Sequence, residues 1–414
     1  MTNFEISIRF FLALAVILAT CRAVGFLARA IAQPQVVGEM IAGVLLGPSL
    51  LALISPQASA YLFPKEVMPV LYCASQVGLV LYMFTIGMEF DRSLLLRRAT
   101  SAAAVSLAGI LVPFALAILI AFPLLREQTY FNPGVKYHQA AIFLGAAISI
   151  TAFPMLARII YERGLTGSTL GALALAAGSL DDAAAWCFLA LVLAMFKNDA
   201  SIAILAVLGG VAYAAFTLLV IRPALRPIAR SVERHGDITP TLLGVVLVLL
   251  MLAAYTTDAL GIYAVFGAFI LGLAMPRGPA TRAVERRIEP LTVGLLLPLF
   301  FVYSGLNTRI TLVNTPELWL VALALLAVSC LGKGVACAAA AKISGEPTRD
   351  ALAIGALMNA RGLMELILLN IGLEHGLITP TLFSMLVIMA IATTLMATPL
   401  FNLVMGKRHA LATS

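Results

Sequence analysis

Charge is scarce in this sequence. Asp, Glu, Lys and Arg make up 11% of its 414 residues, against 62% that are hydrophobic. A soluble domain carries about 25% charged and about 45–50% apolar residues. So few charges could not clothe a water-soluble fold of this length. That excludes an ordinary cytosolic enzyme, a disordered chain and a nucleic-acid-binding domain. Cysteine is sparse as well: Cys21, Cys73, Cys187, Cys330 and Cys337 all sit in apolar stretches, and none forms a C-x-x-C pair. They read as small buried apolar residues rather than a disulfide scaffold or a zinc site. The 4 histidines stand at no metal-binding spacing. A basic n-region is missing too. Glu5 and Arg9 precede Leu18-Ala19-Thr20-Cys21, so the N-terminus reads as a retained membrane helix and not as a signal peptide.

What is present is apolar length. A membrane span needs about 20 apolar residues. Thirteen stretches qualify: about 5–28, 34–55, 66–88, 99–123, 137–160, 166–196, 201–222, 239–258, 260–275, 289–307, 316–341, 349–372 and 378–405. The fold class is therefore an all-α polytopic membrane protein with lipid as its main solvent. The stretch 239–275 can be divided in more than one way around Thr256-Thr257-Asp258. Thirteen spans place the termini on opposite sides. With the N-terminus outside, the inside connections hold Arg29, Arg92, Arg97, Arg98, Arg158, Arg163, Arg222, Arg226, Arg230, Arg234, Arg277, Arg282, Arg286, Arg287, Lys342, Arg349, Lys407 and Arg408. The outside ones hold only Lys65, Arg126, Lys136, Lys197 and Arg309. Eighteen against five is a strong positive-inside bias, and it turns the net charge of +7 into an orientation signal. The arginine-rich segment 276–287 reads as an interfacial linker.

Two spans are interrupted. The fifth contains Ser149-Ile150-Thr151-Ala152-Phe153-Pro154, and Pro154 disfavours helix just before it. The twelfth contains Met358-Asn359-Ala360-Arg361-Gly362, polar at mid-span. Seven spans apart, they cross in opposite directions, and interrupted helices at matching places in inverted halves point to a transporter's binding site.

Ionisable groups at membrane depth cost about 2.5–3.5 kcal/mol each on insertion scales, so function is their default reading. Asp181 and Asp182 stand mid-span in the sixth stretch. Neighbours on a helix point about 100° apart, so the two carboxylates can face different partners. Desolvation penalises the charged form of a buried carboxylate, which suits competition between a proton and a cation. Lys333, mid-span in the eleventh stretch, needs a carboxylate partner. Arg361 and Glu365 share a helix face and can form a local salt bridge or touch the substrate. Thr151 can offer oxygen to a hard cation or bond back to its own helix. Glu39 reads as structural rather than as part of an ion path. Glu89, Asp91 and Arg92 read as solvated interface residues.

These stretches resemble the monovalent cation:proton antiporter-2 family. The likeness lies in Val36–Ser49, Phe84–Glu89, Ser149–Arg158, Asp181–Trp186, Pro298–Leu306 and Asn359–Glu365. It implies inverted repeats with two broken crossing helices (a sodium/proton antiporter-like fold) and homodimers. It also implies core helices at about 99–196 and 316–405, dimerisation helices at about 1–88 and 239–307, and a linker helix at about 201–235. By the same resemblance Asp182 is the main cation- and proton-binding carboxylate, assisted by Asp181 and Thr151. Lys333 is the charge partner of Asp181. Ser149, Pro154, Asn359, Arg361 and Glu365 form the helix crossover. Electroneutral relatives commonly carry Asn before the second Asp, so Asp181 implies an electrogenic exchanger.

The expected function is exchange of H⁺ for Na⁺ or K⁺ by elevator-type alternating access, serving pH homeostasis in a bacterial-type inner membrane, with the C-terminus cytoplasmic. No cofactor, resident metal, enzymatic constellation or soluble regulatory domain is expected. The expected partners are membrane lipid and a second copy of the chain. A cation channel, a Kef-like potassium efflux protein and a sodium-coupled symporter are the competing readings.

Overall fold

A computed structural model of the chain describes residues 1–30, 33, 35–89, 98–197, 200–306, 308 and 310–406. Asp91, Arg92, Arg97, Arg309, Lys407 and Arg408 lie outside these residues. The described chain is nearly all helix. Its helices of ten or more residues are α1 (Asn3–Ala30), α2 (Gln35–Leu46), α3 (Met68–Glu89), α4 (Ala99–Arg126), α5 (Tyr137–Ser149), α6 (Phe153–Glu162), α7 (Thr169–Lys197), α8 (Ala200–Phe216) and α9 (Arg226–His235). They continue as α10 (Pro240–Ala259), α11 (Ala264–Ala274), α12 (Pro279–Leu291), α13 (Leu297–Leu306), α14 (Pro316–Ile343), α15 (Thr348–Leu357), α16 (Leu363–Glu374) and α17 (Pro380–Met405). Eight helical stretches among the described residues are long and apolar enough to cross a membrane. Interrupted helices (α5 with α6, α15 with α16) and shorter ones supplement them. The protein is a multi-pass membrane protein.

Local chemistry sets many of the boundaries. Three helices begin at a Thr-Pro pair. Thr239, Thr315 and Thr379 accept from the backbone N–H of Leu242, Leu318 and Leu382, at 3.4, 3.3 and 3.3 Å. Each Thr satisfies an orphan donor, and the following Pro needs none. The stretch 239–275 divides after Ala259. There the Asp258 carboxylate accepts from Ala264 N–H at 2.8 Å, and Tyr263 takes a positive φ of 91°. Within the expected interfacial linker at 276–287, the chain is helical from Pro279 onward. The arginines of that helix face outward while Ala280, Ala283, Val284 and Ile288 are buried. The helix runs on through a π turn at Thr292–Leu296 into α13.

Two compact units divide the chain, Met1–Ala19 with Gln57–Phe90 and Lys197–Tyr303, and Thr20–Pro56 with Asp91–Phe196 and Ser304–Ser414. In the first, α3 packs against α11, where a Cβ on Gly87 would lie 2.3 Å from the Phe269 carbonyl oxygen. In the second, α4 packs on α5 and α14. It buries Ala102, Val105, Ser106, Gly109, Pro113, Ala117 and Ala121 at three- and four-residue intervals. Its other face exposes Leu107, Leu111 and Leu119 by 56%, 61% and 69%, as a lipid-facing helix must. Within the same unit, Gly43 and Gly305 let two backbones touch: a Cβ on Gly305 would sit 2.4 Å from the Gly43 carbonyl carbon.

The two interrupted helices meet at their breaks. Ala152 N–H donates to the Ala360 carbonyl at 3.1 Å. The loop before α5 pairs with the loop after α16: Phe131 bridges Ile378 in antiparallel fashion, and Thr379 N–H donates to Tyr130 O at 3.0 Å. One helix pair therefore starts where the other ends, so the two run in opposite directions.

Candidate functional site

The site lies in the second unit, where α4, α7 and α14 close on the two breaks. A break in a buried helix leaves carbonyls at one new end and N–H groups at the other, and each set needs partners. The carboxyl end of α5 is capped by two cations. Lys333 Nζ donates to Ser149 O at 2.5 Å and to Gly109 O at 3.0 Å. Arg361 donates to Ala147 O at 2.9 Å, to Ile150 O at 3.2 Å, and to Ile148 O and Ser329 Oγ. Positive charge at a helix carboxyl end is favourable. Pro154 begins α6 at its first turn, where its missing N–H costs nothing.

Asp181 is 1% exposed and saturated. Ser106 Oγ donates to Oδ1 at 2.6 Å. Lys333 Nζ and Thr151 Oγ1 reach Oδ2 at 2.8 and 2.7 Å. Lys333, fully buried, thus has three acceptors for its three protons. The Thr151 hydroxyl also lies 3.0 Å from the Met358 carbonyl. With one proton it serves one acceptor at a time and ties the two breaks together. Ser149 Oγ donates to Ile110 O at 3.1 Å, holding α5 to α4.

Asp182 differs from its neighbour. It is 6% exposed, and its carboxylate takes a hydrogen bond from the Phe153 backbone N–H at the amino end of α6. Its Oδ1 is buried and has no hydrogen-bond partner. Asn359 holds Gly355 O with Nδ2 at 3.0 Å, while its Oδ1 is also unpartnered. Glu365 stands in the first turn of α16, fully buried, and its nearest charge is Arg361 at 3.6 Å. Neither of its oxygens forms a hydrogen bond. The Thr394 hydroxyl, from α17, bridges the Arg361 backbone N–H (2.9 Å) and carbonyl (3.0 Å).

The structure therefore gathers Asp181, Thr151, Lys333, Ser149, Asn359, Arg361 and Glu365 at one crossover, with Asp182 beside it. Sequence reasoning misses Ser106, the Gly109 carbonyl, Ser329 and Thr394. Glu39 lies apart, buried on α2, accepting from Gln35 Nε2 at 3.0 Å. Among the described residues no cluster of His, Cys, Asp and Glu could hold a metal ion by itself. The arrangement instead offers a bare, buried carboxylate oxygen beside a closed ion pair. An oxygen of that kind is chemically suited to a proton or to a hard cation.

Known proteins resemble the chain as a whole. Residues 12–405 match the family described as sodium/hydrogen exchanger, transmembrane. The chain is 39% identical over 387 residues to the Na⁺/H⁺ antiporter NhaS4 of Synechocystis sp., covering 93% of this chain and 94% of that one. It is 36% identical to cation/H⁺ antiporter 18 of Arabidopsis thaliana, covering 94% of this chain but 48% of that protein, so it spans about half the plant relative's length. The sodium proton antiporter MjNhaP1 of Methanocaldococcus jannaschii superposes with a TM-score of 0.62 at 17% identity over 99% of both chains.

Proposed function

From the premise that the chain belongs to the sodium/hydrogen exchanger family, we propose that it exchanges protons for Na⁺ or K⁺ at Asp182. It is a transporter and not an enzyme. The observation that carries the reading is the buried, unpartnered Oδ1 of Asp182, next to an Asp181–Lys333 pair that is already satisfied. A desolvated carboxylate must take a proton or a cation, and one occupant excludes the other. That exclusion is the coupling. Thr151 and Asp181 supply further oxygens, and Lys333 balances charge when Asp181 turns to the cation. Arg361 and Glu365 hold the ends of the broken helices. The name of the Synechocystis relative supports Na⁺, and that of the Arabidopsis relative a cation, as the ion exchanged for protons.

We infer further that the exchange is electrogenic and that the site alternates between the two sides by an elevator-type step. Core helices at about 99–196 and 316–405 carry the ions. Helices at about 1–88 and 239–307 form the scaffold and homodimer interface, with 201–235 as linker. The positive-inside bias supports an inner-membrane protein with its N-terminus outside and C-terminus cytoplasmic.

The test is dissipation of an imposed pH gradient in proteoliposomes on addition of Na⁺ or K⁺. The expected result is saturable exchange that D182N lowers at least a hundredfold. Undiminished exchange by D182N overturns the site. Cation flux without proton movement overturns the antiport in favour of a channel.

A further inference from the structure

Four arginines form a row along the helical stretch that follows α8. Arg222, Arg226, Arg230 and Arg234 recur every fourth residue, so each is rotated only about 40° from the one before. All four are exposed. The opposite side of the same stretch is apolar and packed: Leu225, Ile228 and Val232 are buried. None of the four arginines forms an ion pair among the described residues. The nearby Asp237 is taken by α12, through Arg287 at 2.5 Å and Arg286 at 4.0 Å. One carboxylate, Glu233, shares the exposed face, which leaves four positive charges against one negative.

The depth of the row is marked by its neighbours. Leu219 and Val220, 75% and 52% exposed, lie within one turn of Arg222, and Leu208 and Val211 are 63% and 66% exposed further back. Such residues face lipid tails. The arginines therefore begin where the tails end and extend about 18 Å along the helix. Unpaired guanidinium groups at about 6 Å intervals repel one another unless anions lie between them. A guanidinium matches a phosphate with two parallel hydrogen bonds.

We propose that this row binds the phosphate headgroups of anionic phospholipids and anchors the first unit to one leaflet. The lipid-exposed residues immediately before it favour a headgroup over an acidic protein. The inference goes beyond ion exchange and does not depend on it.

The test is native mass spectrometry of the detergent-purified full chain with equimolar phosphatidylglycerol and phosphatidylcholine. The wild type should retain phosphatidylglycerol preferentially, less so at high salt. Each neutralised arginine should lower that preference about fivefold, and R222Q/R226Q/R230Q/R234Q should abolish it. The corresponding lysine variant should keep most of it. A quadruple glutamine variant with the wild-type preference overturns the proposal, as does an acidic protein that co-elutes through the row in the absence of lipid selectivity. Should the quadruple variant not fold, the four single variants decide: no loss in any of them also overturns it. Transport assays read separately, so a failed exchange reading leaves this outcome untouched.

Discussion

An ammonium buried at membrane depth stays charged only if its three protons are met, and Lys333 meets them on Gly109 O, Ser149 O and Asp181 Oδ2. Removing one member of such a set leaves the other buried and unpaired, which costs about 3–5 kcal/mol. K333Q should therefore destabilise the purified protein by that order in a thermal or denaturant melt. D181N should cost a comparable amount, because it leaves the ammonium without its counter-charge and replaces one of the two accepting oxygens, which serve Ser106 on one side and Thr151 with Lys333 on the other, by a donor. A large loss in K333Q beside a negligible one in D181N would show that Asp181 is not the lysine's principal partner. Asp181, Asp182 and Lys333 are legible in the sequence because a charge inside an apolar run is informative without tertiary knowledge. Ser106, Ser329 and Thr394 are not. Hydroxyl residues are ordinary in membrane helices, and their meaning depends on which helix they face. The orphan oxygens of Asp182, Asn359 and Glu365 are likewise a property of packing alone.

At the scale of elements, glycine placement decides how closely helices approach. Two positions make a contrasting pair. A Cβ on Gly109 would lie 2.5 Å from Cys337 Sγ, a side-chain atom, whereas one on Gly305 would lie 2.4 Å from the backbone of Gly43. Overpacking costs about 1–3 kcal/mol where neighbours can yield. G109A should lower the melting temperature, and the double variant G109A/C337A should recover most of the loss. G305A should be at least as damaging, with no side-chain deletion on α2 to rescue it. Recovery absent in the first case, or tolerance in the second, would refute the packing. A second element-scale prediction concerns the tether between α9 and α12. The Arg287 hydrogen bond, first of its causes, holds the Asp237 carboxyl below its ordinary value of 3.8. A depressed carboxyl contributes stability that is complete above its unfolded value and fades as pH falls toward the folded one. Amide exchange in the 236–239 turn should thus rise below about pH 4, and D237N should remove that pH dependence. The Thr-Pro starts and both helix breaks are readable from residue type. The helix at Pro279–Leu291 is hidden, because its arginines imitate a polar linker until their alternation with Ala283, Val284 and Ile288 is matched to a buried face.

For the whole molecule, the question is how much charge one transport cycle moves. In the exchange proposed at Asp182, one proton is traded for one cation, which by itself moves no net charge. The Asp181–Lys333 pair changes that sum only if it opens during the cycle. Its geometry offers a first step: the Thr151 hydroxyl can turn its hydrogen bond from Asp181 Oδ2 to the Met358 carbonyl (2.7 and 3.0 Å), which removes one of the three donors on the carboxylate and leaves Ser106 and Lys333 in place. If Lys333 then releases a proton, two protons are exchanged for one cation and the cycle is electrogenic. Exchange in proteoliposomes should accordingly speed up when valinomycin and K⁺ clamp the voltage, with Na⁺ as the transported ion. D181N prevents the pair from taking part, so its residual exchange should be insensitive to the clamp. A wild type indifferent to valinomycin would mean that the pair stays closed throughout. Asp181 and Lys333 would then be a cap for the carboxyl end of α5 and nothing more.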